Sequence, residues 1–448
     1  MTDVLDDEKN DDDATRSAPT PWHFATRIAF RFCVAYFGLF CLTFAQITFA
    51  YTGVLGSRFS DRAVMWQMVA LDPVTHWVGR TVFGVDAALN PDSGSGDQAA
   101  IWSLIFSLLV VAVAATVVWS VVDRHRTCYP RLAAWFLVFL RLCLGGQMLF
   151  YGFAKVIPTQ MPAPPLAALL HPFGELSPLA VLWLQVGSSH PYEIALGTIE
   201  VVAGLLLFLP RTAALGALLS LASMAQVFLL NMTYDVPVKL LSFHLLLISA
   251  VLLAPQARRL ANVLVLARPA QPATQPPLFT TDRRNRIAAA VQVALGVWVA
   301  VGCVVLNVQM WHEVGGGSPK PELYGIWEVT DFITDGTPRP PLTTDETRWQ
   351  RLVFDTPGAV TYQRMDGELV DAVAVAGPNT LTLTQQSGRD DTGPMATFTV
   401  DQPAPDRLLL DGRLDGRPVT ISLRRQPLDD FLLLNRGFHW VQEQPYFK

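Results

Sequence analysis

The chain has 448 residues, 51% of them apolar and only 16% charged, with a mean hydropathy of +0.32. That balance points to a polytopic membrane protein and away from one large soluble core. The formal net charge of -5 comes without a basic face or a basic tail, so a nucleic-acid partner has no footing.

The N-terminal stretch "MTDVLDDEKNDDDATRSAPTP" holds seven acids before Ala14 and almost nothing apolar, which predicts a disordered acidic tail over 1–24. It lacks a basic n-region and a small-residue cleavage site, so it is expected to be retained. Five cysteines follow along the chain: Cys33, Cys41, Cys128, Cys143 and Cys303. None sits in a CxxC and four lie within apolar runs, which reads as small buried hydrophobes and not as a disulfide framework or a metal site.

A bilayer core asks for about 20 apolar residues per helix. Seven runs qualify: 28–50, 100–122, 133–155, 192–209, 211–232, 237–254 and 287–310. Two more segments read as interfacial: Met65 to Gly84, carrying Trp66, Pro73 and Trp77, and the short "PLAVLWLQVG", Pro178 to Gly187. The runs divide the chain into an N-terminal helix pair with an outer interfacial loop (25–132), a four-helix bundle (133–262), a Pro-rich linker (263–284), a last helix (285–313) and a distinct C-terminal domain (320–448).

Lysine and arginine placement sets the expected orientation. No Lys or Arg occurs between Lys155 and Arg211, so loop 156–191 is expected outside. The linkers with Arg124, Arg126 and Arg131, and with Arg258, Arg259, Arg268, Arg283, Arg284 and Arg286, are expected in the cytoplasm, as is the start of the first helix. Seven alternating spans then place the C-terminal domain outside. Loop 51–99 carries Arg58, Arg62 and Arg80 on the outer side, balanced by five aspartates.

From Tyr324 the pattern changes to short alternating segments broken by Gly, Pro and Asp: "YGIWEVTDF", "RWQRLVFD", "AVTYQRM", "TLTLTQQ", "MATFTV" and the hairpin "RLLLDGRLDGRPVTISLRR". This predicts a small antiparallel barrel or sandwich. The opening Gly325-Ile326-Trp327 with the late Arg436 resembles the lipocalin-type Gly-x-Trp and its arginine, which implies a guanidinium over the indole. A lipocalin-like barrel and another β-barrel or sandwich both stay open. The aromatic "NRGFHWVQEQPY" is placed over one barrel mouth or on the membrane.

The polar residues of the spans are the candidate site. Arg141, Gly145, Met148, Gly152 and Lys155 recur at i, i+4, i+7, i+11 and i+14, one face of a helix. Charge within a span faces a bundle interior or a wet cavity, and glycine permits close approach. "EIALGTIEVVAGLLL" sets Glu193, Gly197, Glu200 and Gly204 on one stripe of the next bundle helix. Counted from the cytoplasmic boundary, Arg141 and Glu200 both sit roughly 12–14 Å deep at 1.5 Å per residue, which predicts an Arg141–Glu200 pair. Near the outer boundary Lys155, Tyr151, Glu193, Asn231, Tyr234, Asp235 and Lys239 are expected to form a second polar layer. Within it Asp235 reads as the N-cap of the following helix. His244 lies about half a turn away from Asp235 and reads as a hydrogen-bonded core histidine. His76, His171 and His190 have no metal-ligand spacing, and "GSGD" at 94–97 is too short for a phosphate loop.

"RLCLGGQMLFYGFAK", "GTIEVVAGLLLFLPRTAALGA" and "NMTYDVPVKLLSFHLLL" together resemble the DoxX/DoxD family of bacterial membrane proteins over 133–262, in a longer subgroup with an N-terminal helix pair and a C-terminal β-domain. The matching positions are Arg141, Gly145, Gly152, Lys155, Glu200, Gly204, Arg211, Asn231, Asp235 and Lys239. The resemblance implies an up-and-down four-helix bundle in the bacterial cytoplasmic membrane and a link to quinone chemistry. No outer cysteine and no haem or iron–sulfur ligand set is present in the sequence to support thiol-based electron transfer. Three functions follow as expectations: a redox-associated protein holding a quinone-like or amphipathic molecule, alongside a respiratory partner; a non-catalytic scaffold whose β-domain binds an envelope partner or lipid; and a small-molecule transporter, disfavoured because broken-helix repeats are missing.

Overall fold

The computed structural model describes residues 21–270, 277–385 and 394–447. Most of the expected acidic tail and the centre of the Pro-rich linker, 271–276, lie outside the described residues. The chain divides into two compact units, one of Met1–Ile157 with Ile194–Val308 and one of Pro158–Glu193 with Gln309–Lys448.

The helical unit begins with α1 (Phe24–Thr43), the short α2 (Ala45–Phe49) and a 3-10 stretch (Ala50–Arg58), then α3 (Asp61–Val64), α4 (Trp66–Val78), α5 (Ala99–Val122) and α6 (Pro130–Val156). A ten-residue helix of the second unit, α7 (Pro178–Gly187), precedes α8 (His190–Phe208), α9 (Ala213–Thr233), α10 (Lys239–Leu253), α11 (Ala257–Leu264) and α12 (Asp282–Glu313). Among the described residues seven segments are long and apolar enough to cross a membrane: α1, α5, α6, α8, α9, the run Lys239–Leu264 and α12. They match the seven sequence runs, except that the sixth reaches Leu264 and not 254 and the first ends early. The first run, expected to continue to residue 50, stops at Phe44, whose backbone is extended (φ -81, ψ 108) and whose side chain is fully buried.

The physical reason for that break is tertiary. Beyond it, Gly53 takes φ 60 and presses on α12, where a Cβ on Gly302 would stand 2.3 Å from the Gly53 Cα. Tyr51 donates to the Leu142 carbonyl at 2.6 Å and Trp298 donates to the Tyr51 carbonyl at 3.1 Å. The bundle core between these helices is built from Phe37, Phe40, Leu104, Leu140, Leu207 and Leu245. By contrast α5 leaves Val110, Val117, Val118 and Val121 exposed along its length. An apolar face that long in water is costly, and it suits hydrocarbon.

Among the described residues the second unit holds nine strands, β1 (Gly325–Thr334), β2 (Thr337–Pro338), β3 (Trp349–Phe354), β4 (Ala359–Arg364), β5 (Leu369–Gly377), β6 (Thr380–Gln385), β7 (Ala396–Ala404), β8 (Arg407–Leu414) and β9 (Arg417–Gln426), followed by the one-turn α13 (Leu432–Asn435). Each strand pairs antiparallel with the next around the sheet, and β1 pairs back onto β9. With β2 only a two-residue hairpin arm on the end of β1, the other eight strands close into a β-barrel in which each has a neighbour on both sides. The Asp335-Gly336 and Asp415-Gly416 turns both take positive φ at two residues (53 and 73, 49 and 76), the mirror-image hairpin turn that suits strand twist. A register shift between Val329 and Asp331 explains why Val329 and Phe332, three apart, both point into the core. The interior is filled by Trp327, Phe332, Trp349, Tyr362 and Phe398. Strand β5, "LVDAVAVAG", carries the weakest strand signal in the sequence, because it alternates small residues without an aromatic.

The lipocalin-type contact expected between Arg436 and Trp327 is not made. Arg436 lies 4.1 Å over Tyr446, and the Trp327 indole donates to the Leu323 carbonyl at 2.8 Å. The cause is register: Arg425 of β9 stands directly opposite Trp327, and its guanidinium donates to the Tyr324 carbonyl at 2.8 Å. Trp440 and Phe447 are 91% and 98% exposed, so the C-terminal aromatics close no barrel mouth. At another corner, burial would raise the Asp345 carboxyl, but the amides of Thr347 and Arg348, the Thr347 hydroxyl and Arg339 hold it down at about 2.

Residues 158–193, the connection between α6 and α8, pack with this barrel. The Leu166 amide donates to Asp355 at 2.8 Å, and Leu166 shares a buried cluster with Ile326 and Val353.

Candidate functional site

Helices α6 and α8 meet along the two glycine stripes. A Cβ on Gly152 would lie 2.8 Å from the Val201 amide, one on Gly197 would lie 2.6 Å from the Gly152 carbonyl, and one on Gly204 would lie 2.9 Å from Leu149. Gly145 faces Phe208 in the same way. These contacts pair residues whose numbers sum to about 353, the signature of an antiparallel seam. At Gly152 and Gly197 a side chain would run into backbone, and at Gly145 and Gly204 it would first meet the side chains of Phe208 and Leu149.

That register overturns the expected Arg141–Glu200 pair. It places Glu200 opposite residue 153 or so, roughly 18 Å along α6 from Arg141 at 1.5 Å per residue. Lys155 takes the carboxylate instead: Lys155 Nζ donates to Glu200 Oε2 at 2.7 Å, with side chains 7% and 3% exposed. Ser223 of α9 donates to Glu200 Oε1 at 3.4 Å, and the Tyr151 ring lies 5.9 Å from Lys155 Nζ. Depth counted from each helix end misleads here, because α6 has 27 residues and α8 only 19 and they pack out of step.

Arg141 has a different partner, which sequence reasoning missed. Its Nη2 donates to Gln292 Oε1 of α12, while Gln292 Nε2 donates to the Ala288 carbonyl at 2.9 Å. A glutamine inside the apolar stretch "IAAAVQVALG" was the available signal. Arg141 is 6% exposed, and its Nε has no hydrogen-bond partner among the described residues. It lines a cavity of about 870 Å³ bounded by α6, the α8–α9 corner, the end of α10, α11, linker residues Ala270, Pro277 and Leu278, and α12, with Arg258, Arg259 and Asn262 also on its wall.

The expected outer layer separates into distinct contacts. Asp235 is exposed, takes φ 53 and pairs with Lys239 at 2.8 Å, so it does not cap α10. The cap comes from Asp97 of the "GSGD" loop, whose carboxylate accepts from the Lys239 and Leu240 amides at 2.8 and 3.0 Å. The Gly96 amide adds a bond to the Pro237 carbonyl at 2.7 Å. A carboxylate at a helix N-terminus satisfies its first free amides and faces the positive end of the dipole. Asp97 also lies 3.7 Å from Lys239 Nζ. Asn231 donates to Ser242 at 3.0 Å, and Tyr234 ends α9 half-buried. Glu193 is fully buried and accepts from the Met161 amide at 3.1 Å. His244 is the expected core histidine: its Nε2 is 2.8 Å from the Tyr36 hydroxyl, its Nδ1 is 2.6 Å from the Leu240 carbonyl, and Phe40 stacks on it at 4.2 Å.

These features define a class: a protein with seven candidate membrane-spanning helices and an eight-stranded β-barrel domain. No family model and no solved structure matches the chain. It is 32% identical over 132 residues to the "Uncharacterized protein YwoB" of Bacillus subtilis (strain 168), a match covering 28% of this chain and 78% of that protein. The chain belongs to the same family as YwoB.

Proposed function

We propose that the protein is a DoxX-like, redox-associated component of the bacterial cytoplasmic membrane that holds a quinone-like or other amphipathic small molecule in its helical bundle. The N-terminus is cytoplasmic and the barrel extracytoplasmic, available to a respiratory or envelope partner. Support for embedding comes from the seven apolar helices and the bare valine face of α5. Support for sidedness comes from loop 158–193 sharing a core with the barrel: four spans separate them in the chain, which returns the chain to one side.

The observation that carries the ligand reading is the cavity of about 870 Å³ with a buried guanidinium in its wall. Sites for small molecules are concave and mostly apolar with a few fixed polar groups. Arg141 and Gln292 offer donors to a head-group oxygen, and Leu137, Ala213 and Ala217 form an apolar wall. Native mass spectrometry of the purified chain tests this. A bound amphiphile is expected, and Ala289→Phe, which fills the cavity, is expected to release it. A wild-type protein that carries no amphiphile and takes up none on titration with menaquinone or phospholipid defeats the reading.

The scaffold reading keeps one observation of its own. Lys155 and Glu200 satisfy each other inside a closed glycine seam, which suits a structural pin.

A further inference from the structure

The cavity has an electrostatic asymmetry that the amphiphile reading does not use. Three arginines line it, Arg141, Arg258 and Arg259, and no aspartate or glutamate does so among the described residues. Among the described residues Arg141 makes no ion pair, because the carboxylate expected for it is held by Lys155. Its polar partner among the described residues is the neutral oxygen of Gln292, whose amide nitrogen is itself held by a bond to the Ala288 carbonyl. A guanidinium carries five N–H donors, and burying its charge without a counter-charge is strongly unfavourable. The Arg141 Nε, with no partner among the described residues, belongs to a side chain 6% exposed. Planar guanidinium groups match phosphate and carboxylate oxygens in pairs.

Helix α11 supplies the second observation. Its polar side carries Arg258, Arg259 and Asn262 to the cavity, while Val263, Leu264 and Val265 beside them are 56%, 65% and 77% exposed. A short helix with a basic side and a bare apolar side lies in the membrane interface, at the level of lipid head groups.

We infer that the cavity is an anion site: Arg141 at its inner end and Arg258 and Arg259 on its wall bind the phosphate or carboxylate head of an amphiphile whose chains run along the apolar wall. This rests on the reading that the cavity holds an amphiphile, and it adds that the ligand is negatively charged. A free phosphate shares the head-group chemistry, so the test separates the two sources.

The full-length protein in neutral phosphatidylcholine nanodiscs is titrated in parallel with phosphatidylglycerol, inorganic phosphate and menaquinone, with bound adducts read by native mass spectrometry. Phosphatidylglycerol is expected to bind, to weaken about tenfold or more in Arg141→Gln, to be largely kept in Arg141→Lys, and to weaken as salt rises. The Arg258→Gln/Arg259→Gln double variant, altered only at exposed positions, is expected to weaken binding without disturbing the fold. That keeps the test decisive if Arg141→Gln does not fold. Phosphate binding that depends on the same arginines, without lipid binding, upholds the anion site and makes its source a free anion. Menaquinone binding with no arginine-dependent anion binding overturns the inference and leaves the amphiphile reading standing. Failure of all three probes removes both.

Discussion

Breaking the Lys155–Glu200 pair is the sharpest test of how the bundle is held. At an effective dielectric of about 20, unit charges 2.7 Å apart attract by about 6 kcal/mol. Removing both ions from water costs several kcal/mol each, so the net worth of the intact pair is close to zero. The asymmetry appears when one partner is lost. With side chains 7% and 3% exposed, the survivor keeps its desolvation cost and loses its attraction. Glu200→Met and Lys155→Met are each expected to destabilise the bundle by about 3–5 kcal/mol, while the double variant returns to within about 1 kcal/mol of the parent. Unfolding by SDS in mixed micelles, followed by helical ellipticity, measures all four corners of the cycle. If either single variant loses less than about 1 kcal/mol, or if the two losses simply add in the double variant, the pair is not the closed pin described here.

Asp97→Ala removes the side-chain cap at the start of α10 and is expected to cost about 1–2 kcal/mol, with faster amide exchange at Lys239 and Leu240; unchanged exchange there refutes the cap. Gly197→Ala puts a methyl group 2.6 Å from the Gly152 carbonyl, and a loss of about 1–3 kcal/mol in the same SDS titration is expected. In the barrel, Trp327 is 1% exposed, and Trp327→Ala is expected to cost about 3–5 kcal/mol in thermal unfolding of the domain signal. Asp345 gives a pH signature. Its carboxyl is held down at about 2 in the folded protein, below its ordinary value of 3.8, so its contribution is present above about pH 4 and fades between there and about pH 2. Asp345→Asn is expected to flatten that part of the barrel's stability profile, and identical profiles for the two proteins would remove the assignment.

Much of the architecture is legible along the chain because it depends on local periodicity. Seven apolar runs announce seven helices, since a span must satisfy its backbone internally and present about 20 apolar residues. The glycine stripes on α6 and α8 follow from the 3.6-residue turn, and they do face each other. The Asp-Gly hairpins follow from the twist of the strands they join. His244 was readable as a core histidine because it is a lone imidazole inside an apolar run.

What the tertiary structure decided is which partner each polar group meets. Helical period tells which side a residue is on, but the sliding of α6 against α8 is set by glycine-to-backbone contacts across the seam, so Glu200 reaches Lys155 and not Arg141. The cap of α10 comes from Asp97, more than a hundred residues away, where no local capping rule looks. Phe44 breaks the first run because the chain turns to pack under α12, and residues 158–193 side with the barrel because Leu166 finds its core there. Periodicity is a property of one segment, whereas pairing depends on register between segments. Arg141, marked by sequence as half of a salt bridge, is therefore found with a neutral glutamine at the wall of a cavity.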